Sequence, residues 1–229
     1  IYSHPLDDPE LPKRRPIRRV LVPSPWVRDM FAEVWPGRVQ VWPVGIDTDR
    51  WAPAPGGNRP DIDVLIYDKI FWQRDRLLRE LIEPLQSDLL QRGLRVETLR
   101  YGSYREEQLH ALRLRTRSMV YLSRHETQGI AAQQMLASGV PLFVWDEGGL
   151  WQDPKYAPHL VKFGPVSSMP YWDDRCGVKF TGPSDMREAF DRFWQGIERE
   201  SFAPRAFMLE DFTLAKRAAA YVAIAEKFD

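Results

Sequence analysis

The sequence predicts an α/β fold in which a parallel sheet carries helices on both of its faces. Short apolar runs typical of buried strands lie at 64–67, 119–122 and 141–145. Helical segments separate these runs, and the clearest has its apolar residues at Leu78, Leu81, Ile82, Leu85 and Leu89. Strands that alternate with helices of this length pair in parallel, because each crossover returns the chain to the same end of the sheet.

Further strands are predicted at 19–22, 39–42 and 95–101 from their alternating or continuous apolar residues. A short helix is predicted at 26–34, after the chain-breaking Pro23-Ser24-Pro25. Residues 1 to 18 contain four prolines and are expected to form an irregular lead-in.

Several residues predict where helices begin and end. Asp75 is expected to cap the helix that contains Leu78, while Gly93 ends this helix and Pro84 kinks or splits it. Ser103 and Glu106 have the spacing of a capping box for the next helix. Two later helices are predicted at 130–137 and, with Thr213 as its cap, at 214–228.

A cluster of prolines and glycines between positions 53 and 60 is the best domain-boundary signal. We therefore expect four parts. Residues 1–52 form the tail of one domain with an interdomain segment, and residues 53–59 form a linker. Residues 60–200 form a Rossmann-like domain, and residues 201–229 form a C-terminal helix that packs back towards the N-terminal side.

Composition argues against nucleic-acid binding and bears on the location of the protein. The 229 residues contain 32 basic and 32 acidic side chains, so no net charge attracts nucleic acid. The lone cysteine, Cys176, has no internal disulfide partner, which fits a reducing compartment and a cytoplasmic location. A basic cluster in residues 13–19 leaves two alternatives open, a solvated segment or a contact with the inner face of a membrane.

The loop after the 119–122 strand carries the most informative motif. Ligands of parallel sheets bind at the carboxyl ends of strands, where helix N-termini present free amides. Here the loop offers the carboxylate of Glu126 and, at the start of the next helix, Gly129. A carboxylate can accept hydrogen bonds from sugar hydroxyls, and amides can bind a phosphate.

This loop resembles the signature of the retaining group 1 glycosyltransferases of GT-B fold, which bind nucleotide-sugars. That signature is a glutamate, seven residues, a second glutamate and a small-residue stretch that ends in Gly-x-Pro. The matching residues here are Glu126, Gly129, Ala137, Gly139 and Pro141. This chain departs from the signature at the second glutamate, where it has Gln134.

Other segments extend the resemblance over about residues 20 to 228. Residues 24–26 and 43–47 are similar to the segment that joins the two GT-B domains. Lys69 and Arg74 follow the first strand of the donor domain, where the family has an arginine and a lysine in the opposite order. Residues 146–149 and 176–180 resemble the acidic-glycine turn and the last short strand.

The resemblance implies the C-terminal, donor-binding half of a GT-B fold and the transfer of a hexosyl group from a nucleoside diphosphate sugar. The acceptor would be a hydroxyl of a glycan, a lipid or a small molecule, and neither a metal nor another cofactor is expected. Glu126 would orient the hexose as the catalytic-site residue. The implied donor-binding residues are Lys69, Arg74, Arg124, Thr127, Gln128, Gly129, Ile130 and Gln134.

Two other functions stay open: a non-catalytic nucleotide-sugar-binding module and a sugar-nucleotide epimerase of GT-B architecture. The residues also have simpler interpretations. Glu126 can be a charge favoured by the helix macrodipole, and Lys69, Arg74 and Gln134 can be solvated side chains. The chain begins at Ile1 and has room for about one βα unit of an acceptor-side domain, so we expect it to be part of a longer protein.

Overall fold

A computed structural model describes residues 3–54 and 60–228 of the chain. Within these residues every strand pairs in parallel with its neighbour. A small sheet consists of β1 (Val20–Val22) and β2 (Val39–Val41). The strands of the main sheet are β3 (Ile62–Asp68), β4 (Val96–Arg100), β5 (Thr116–Leu122), β6 (Leu142–Trp145) and β7 (Gly177–Phe180).

Helices precede, connect and follow the strands. The helices that precede β4 in the chain are α1 (Leu11–Arg14), α2 (Pro25–Ala32), α3 (Arg74–Leu77) and α4 (Glu83–Gln91). Those that follow are α5 (Glu106–Leu112), α6 (Ile130–Ala137), α7 (Pro183–Glu198), α8 (Pro204–Asp211) and α9 (Leu214–Ala225). No helix in the described ranges is both long and apolar enough to cross a lipid bilayer.

The main sheet has the strand order β4-β3-β5-β6-β7, with helices on both faces. Successive side chains of a strand point to opposite faces, so one buried strand serves two cores. In β3, Leu65 and Tyr67 join the core beneath α5, α6 and α8. Val64 and Ile66 join the core beneath α3, α4 and α7. The predicted fold class, a Rossmann-like α/β sheet with helices on both faces, is confirmed.

Two predicted helix caps are wrong. The helix begins at Arg74 with Gln73 as its cap, which puts Asp75 inside the first turn. The next helix begins at Glu106 with Arg105 as its cap, and the Gln108 side chain accepts a hydrogen bond from the Arg105 amide. The predicted box lay two residues too early, because a turn through Gly102 occupies the preceding positions.

The helical segment from 74 to 91 is divided near Pro84, as predicted, and Pro84 lies in the first turn of α4. A π-helical turn, Leu78–Ile82, lies between α3 and α4 and ends just before Pro84. Proline lacks the amide that an α-helix needs at this point. The wider turn shifts the hydrogen-bond register upstream of Pro84, so the chain continues as a helix.

The N-terminal part of the chain packs on the long loop between β6 and β7. Trp26, Met30 and Phe31 of α2 form a third core with Trp151 and Tyr156. The lead-in is more ordered than expected, since it contains α1 and a short 3-10 turn at Pro5–Asp7. Segments far apart in sequence therefore meet beside the carboxyl edge of the sheet.

The C-terminal segment contacts residues 42–46. The Ile46 amide donates to the Phe212 carbonyl over 2.8 Å. The Trp42 indole donates to the Arg217 carbonyl over 2.9 Å. Thr213 caps α9 as predicted, by accepting from the Lys216 amide. The predicted linker 53–59 lies mostly outside the described residues, and the domain boundaries stay predictions.

Candidate functional site

A cavity of about 550 Å³ lies at the carboxyl ends of β3, β4 and β5. Loops that leave adjacent parallel strands meet at this edge and gather polar side chains there. The residues that line it are Tyr67, Lys69, Tyr101, Gly102, Tyr104, Glu106, Leu109, Tyr121, Glu126, Thr127, Gln128, Gly129, Ile130, Ala131 and Gln134. Seven of the nine residues implied by the resemblance are therefore at one cavity, and Arg74 and Arg124 are not.

Glu126 forms an ion pair at the bottom of this cavity. Its carboxylate accepts hydrogen bonds from the Tyr121 and Ser123 hydroxyls, each over 2.9 Å. The Lys69 ammonium lies 2.8 Å from one carboxylate oxygen and 2.9 Å from the other. Only 8% of the Glu126 side chain is exposed, against 22% for Lys69. The carboxylate thus fixes Lys69 in place, and Lys69 is the more accessible charge of the pair.

The backbone of Glu126 is also held from both sides. Its amide donates to the Ser167 carbonyl over 2.9 Å. Its carbonyl accepts a hydrogen bond from the Trp26 indole over 3.0 Å. These contacts join the loop to α2 on one side and to the 167–169 segment on the other, so Glu126 cannot move independently of its surroundings.

Tyrosines form the rest of the cavity floor. The rings of Tyr67 and Tyr121 stack with their centroids 5.2 Å apart. The Tyr67 and Tyr104 hydroxyls share a hydrogen bond of 2.7 Å. Burial raises the pKa of Tyr121 well above its usual range, with the Glu126 charge adding to the effect. The phenols therefore remain neutral donors that pack the floor and orient the carboxylate.

The N-terminus of α6 opens towards the cavity. Gly129 is the N-cap residue and has φ = +82°, a conformation that favours glycine. The first-turn amides of any α-helix lack intrahelical acceptors, and in the described structure no side chain caps this helix to replace them. Such amides, together with the helix dipole, favour an anion such as a phosphate.

Gln128 and Gln134 have different surroundings. The Gln128 amide binds both the N–H and the carbonyl of Val44, over 3.0 and 2.8 Å, and donates to the Gln133 side chain over 2.8 Å. Gln128 therefore ties the backbone at Val44 to the loop and has little capacity left for a ligand. Gln134 is half-buried on the second turn of α6 and lines the cavity.

Thr127 and Ile130 are both exposed at the cavity wall. Arg74 points elsewhere, because its guanidinium binds both carboxylate oxygens of Asp68 over 2.9 and 2.6 Å. It also donates to the Ile70 carbonyl over 3.0 Å. Asp68 ends β3 in a buried position and requires a cation, so the structure assigns Arg74 to the support of this loop and does not bring it to the cavity.

Arg124 and His125 lie in a smaller recess of about 260 Å³ beside the cavity. The two spaces share the wall formed by Lys69, Glu126 and Thr127. The His125 ring accepts a hydrogen bond from the Gln152 amide over 3.3 Å. Burial lowers the pKa of His125 to about 4, and the Arg124 charge acts in the same direction.

The low pKa of His125 predicts a loss of stability in acid. An unfolded histidine, with a pKa near 6.5, takes up its proton before the folded one does, so the stabilisation is complete above about pH 6.5 and lost as the pH falls towards 4. Between pH 7.5 and 5 we expect the native protein to lose about 1–2 kcal/mol more than a His125→Asn variant. Urea unfolding at both pH values measures this difference. Buried His4, whose pKa burial also lowers, is present in both proteins and cancels. Equal losses in the two proteins would contradict the assignment.

Sequence reasoning missed three features of the site. It did not identify the tyrosines at 67, 104 and 121 as the floor, because a tyrosine in or near a buried strand is usually a core residue. It also missed the pairing of Lys69 with Glu126 and of Arg74 with Asp68. The acidic end of β3, six positions before an arginine, was the one signal that could have predicted the second pair.

Comparison with known proteins identifies the fold. No family model and no curated protein matches the sequence significantly. Sucrose-phosphate synthase from Thermosynechococcus elongatus superposes with a TM-score of 0.59 at 14% identity, over 91% of this chain and 58% of that one. WaaG, a glycosyltransferase of lipopolysaccharide biosynthesis, gives 0.56 at 14% identity, over 88% and 61%. The catalytic domain of starch synthase IV from Arabidopsis thaliana, bound to ADP and acarbose, gives 0.57 at 12% identity, over 92% and 55%.

The chain thus spans little more than half the length of these glycosyltransferase structures. At such identities the likeness concerns the fold alone. The parallel sheet and its helices correspond to the C-terminal half of the GT-B architecture, and this chain has the GT-B glycosyltransferase fold of that half.

Proposed function

We propose that this chain is the donor-binding portion of a retaining glycosyltransferase that moves a hexosyl group from a nucleoside diphosphate sugar to a hydroxyl acceptor. The observation that carries the proposal is the cavity, in which Lys69 and the open N-terminus of α6 line a common space. A cavity of about 550 Å³ is of the size that small-molecule and cofactor ligands occupy.

In this proposal the diphosphate lies between Lys69 and the amides that follow Gly129. Both groups would stabilise the negative charge that grows on the leaving diphosphate. The nucleoside would extend past Gln134 towards Tyr101 and Glu106, which also line the cavity. Glu126 would act mainly by holding Lys69, and its hexose contact would be limited to the small exposed part of the carboxylate.

The first test is the binding of nucleoside diphosphates without metal. We expect at least one of UDP, GDP, ADP and dTDP to bind in EDTA, because Lys69 and the helix amides supply the positive potential that a metal would otherwise supply. Calorimetry on the native chain and on Lys69→Met measures it, and the variant should lose about tenfold in affinity. Lys13→Met, which alters a surface ion pair with Glu10, is the matched control. No binding by any of the four nucleotides would overturn the proposal.

Gln134 provides a second test, because it stands where the family signature has a glutamate. If its side chain faces the ribose, Gln134→Glu should strengthen donor binding several-fold, or by about 1 kcal/mol, since a carboxylate accepts from two hydroxyls. A change of less than twofold would mean that Gln134 does not face the nucleotide. Weaker binding with a lower melting temperature would mean that the cavity is built around an amide. Only the gain supports the assignment.

A non-catalytic nucleotide-sugar-binding module is the second candidate. Two observations favour it: Gln134 in place of an acid, and a Glu126 carboxylate already bonded to Lys69, Tyr121 and Ser123. Such a module binds the nucleotide-sugar but does not turn it over. Release of the free sugar or its transfer to an acceptor, followed by NMR, separates the two functions.

A further inference from the structure

The recess beside the main cavity contains a buried cation that has few partners. Arg124 is 8% exposed and lines this recess. Within the described residues its Nε is buried without an acceptor, and its guanidinium carbon lies 5.7 Å from the centre of the Trp145 ring. A guanidinium carries five N–H donors, and buried donors are nearly always satisfied. The arrangement lacks an acceptor of the right shape.

Nearby acids supply this acceptor only in part. Glu147 forms an ion pair of 3.4 Å with the Arg124 guanidinium, but its side chain is 44% exposed, so the pair is open to solvent. Glu126 is already bonded to Lys69. Burial lowers the pKa of Arg124, the charge of Glu147 opposes this shift, and the charge of Arg76 adds to it, so a further anion beside the guanidinium would favour its charged form.

The other walls of the recess suit a sugar ring. Phe71 and Trp72 line one side, and Phe71 is 55% exposed. Aromatic rings pack against the apolar face of a hexose, whereas the Arg124 guanidinium suits a negative charge. At about 260 Å³ the recess is less than half the volume of the main cavity, which leaves room for a hexose but not for a nucleoside diphosphate.

We propose that this recess binds a hexose with an anionic substituent, a carboxylate or a phosphate, and that Arg124 recognises the anion through paired hydrogen bonds. The planar guanidinium fork matches both groups. The inference rests on the proposed function for its place in the reaction, since the recess shares the Lys69–Glu126 wall with the proposed nucleotide cavity. Under this inference the sugar that the recess binds is an acidic sugar.

The test uses three hexoses that differ only at C6: D-glucose, D-glucuronate and D-glucose 6-phosphate. Binding to the native chain is followed by NMR through the Trp72 indole signal, which is assigned with a Trp72→Phe variant. We expect at least one anionic hexose to bind about tenfold more tightly than glucose. The tighter of the two identifies the source of the charge as a uronate or a sugar phosphate.

Variants of Arg124 complete the test. Arg124→Gln should abolish the preference for the anionic hexose, and Arg124→Lys should keep only part of it because it lacks the fork. Arg115→Gln, which removes an exposed cation paired with Asp61, should keep the whole preference. Melting temperatures show whether each variant is folded.

Two results would overturn the inference: anionic hexoses that bind no more tightly than glucose, or a preference that survives Arg124→Gln. None of the three probes carries a nucleotide. The experiments therefore distinguish a failure of nucleoside diphosphates to bind the main cavity from a failure of anionic hexoses to bind the recess.

Discussion

Replacing Glu126 with alanine is expected to lower the free energy of unfolding by about 3 kcal/mol, because removal of one partner leaves the other groups of a buried cluster uncompensated. The Tyr121 and Ser123 hydroxyls lose their acceptor, and Lys69 loses the carboxylate 2.8 Å from its ammonium. Urea unfolding of both proteins measures the loss.

The same substitution should raise the affinity for a bare nucleoside diphosphate several-fold. In the native chain the Glu126 carboxylate lies 2.8 Å from the Lys69 ammonium, so an anion that approaches Lys69 is also repelled by the carboxylate, which offsets part of the attraction. The family resemblance alone predicts an unchanged affinity, since it assigns the glutamate to the sugar. The ion pair in the structure changes this expectation.

Two further variants make the test specific. Glu106→Ala removes another carboxylate of the same cavity, but its pair with Arg50 is solvent-exposed, so stability should change by less than about 1 kcal/mol. Glu126→Gln keeps one acceptor oxygen for the hydroxyls and should recover part of the stability. Native-like stability and nucleotide affinity in Glu126→Ala would contradict the role of the pair.

The parts of the fold that the sequence predicted correctly depend on local patterns. Helix α6 spans Ile130–Ala137 as predicted, because Gly129 and Gly139 flank it with positive φ angles and the apolar run between them is helical. The central strands are continuous apolar runs buried on both faces. Such features need no knowledge of distant segments.

The features that sequence reasoning missed depend on competition between side chains in space. Gln128 was expected to bind the donor, but its side-chain amide is hydrogen-bonded to the backbone of Val44, 84 positions away. Arg74 was expected to bind the diphosphate, but its guanidinium is hydrogen-bonded to the buried Asp68 carboxylate. A motif states which residues can reach a ligand, and the burial of their neighbours decides which of them are free to do so.

The loop that carries Glu126 also depends on the far edge of the sheet. Lys179 of β7 lies 2.7 Å from Asp146, which accepts a hydrogen bond of 2.8 Å from the Ser167 hydroxyl. Ser167 in turn accepts from the Glu126 amide through its carbonyl. A displacement of β7 is therefore expected to shift the loop that carries Glu126.

Gly177→Ala is expected to displace β7 and to lower the free energy of unfolding by about 3 kcal/mol or more. Gly177 opens β7 opposite Leu142 of β6, and its φ of +136° is a conformation that alanine rarely adopts. A Cβ atom there would lie 1.9 Å from the Leu142 carbonyl oxygen, so the backbone must shift.

Gly182→Ala is the matched control, since it lies five positions further along the chain with an extended backbone and no atom within 4 Å of an added Cβ. Its stability should stay within about 1 kcal/mol of the native value. Lys179→Met removes the link to Asp146 without a clash and should weaken nucleotide binding more than it lowers stability. If Gly177→Ala unfolds like the native protein, β7 does not need the close approach seen here. If it is destabilised while Lys179→Met binds nucleotide normally, the edge strand supports the sheet but not the loop of Glu126.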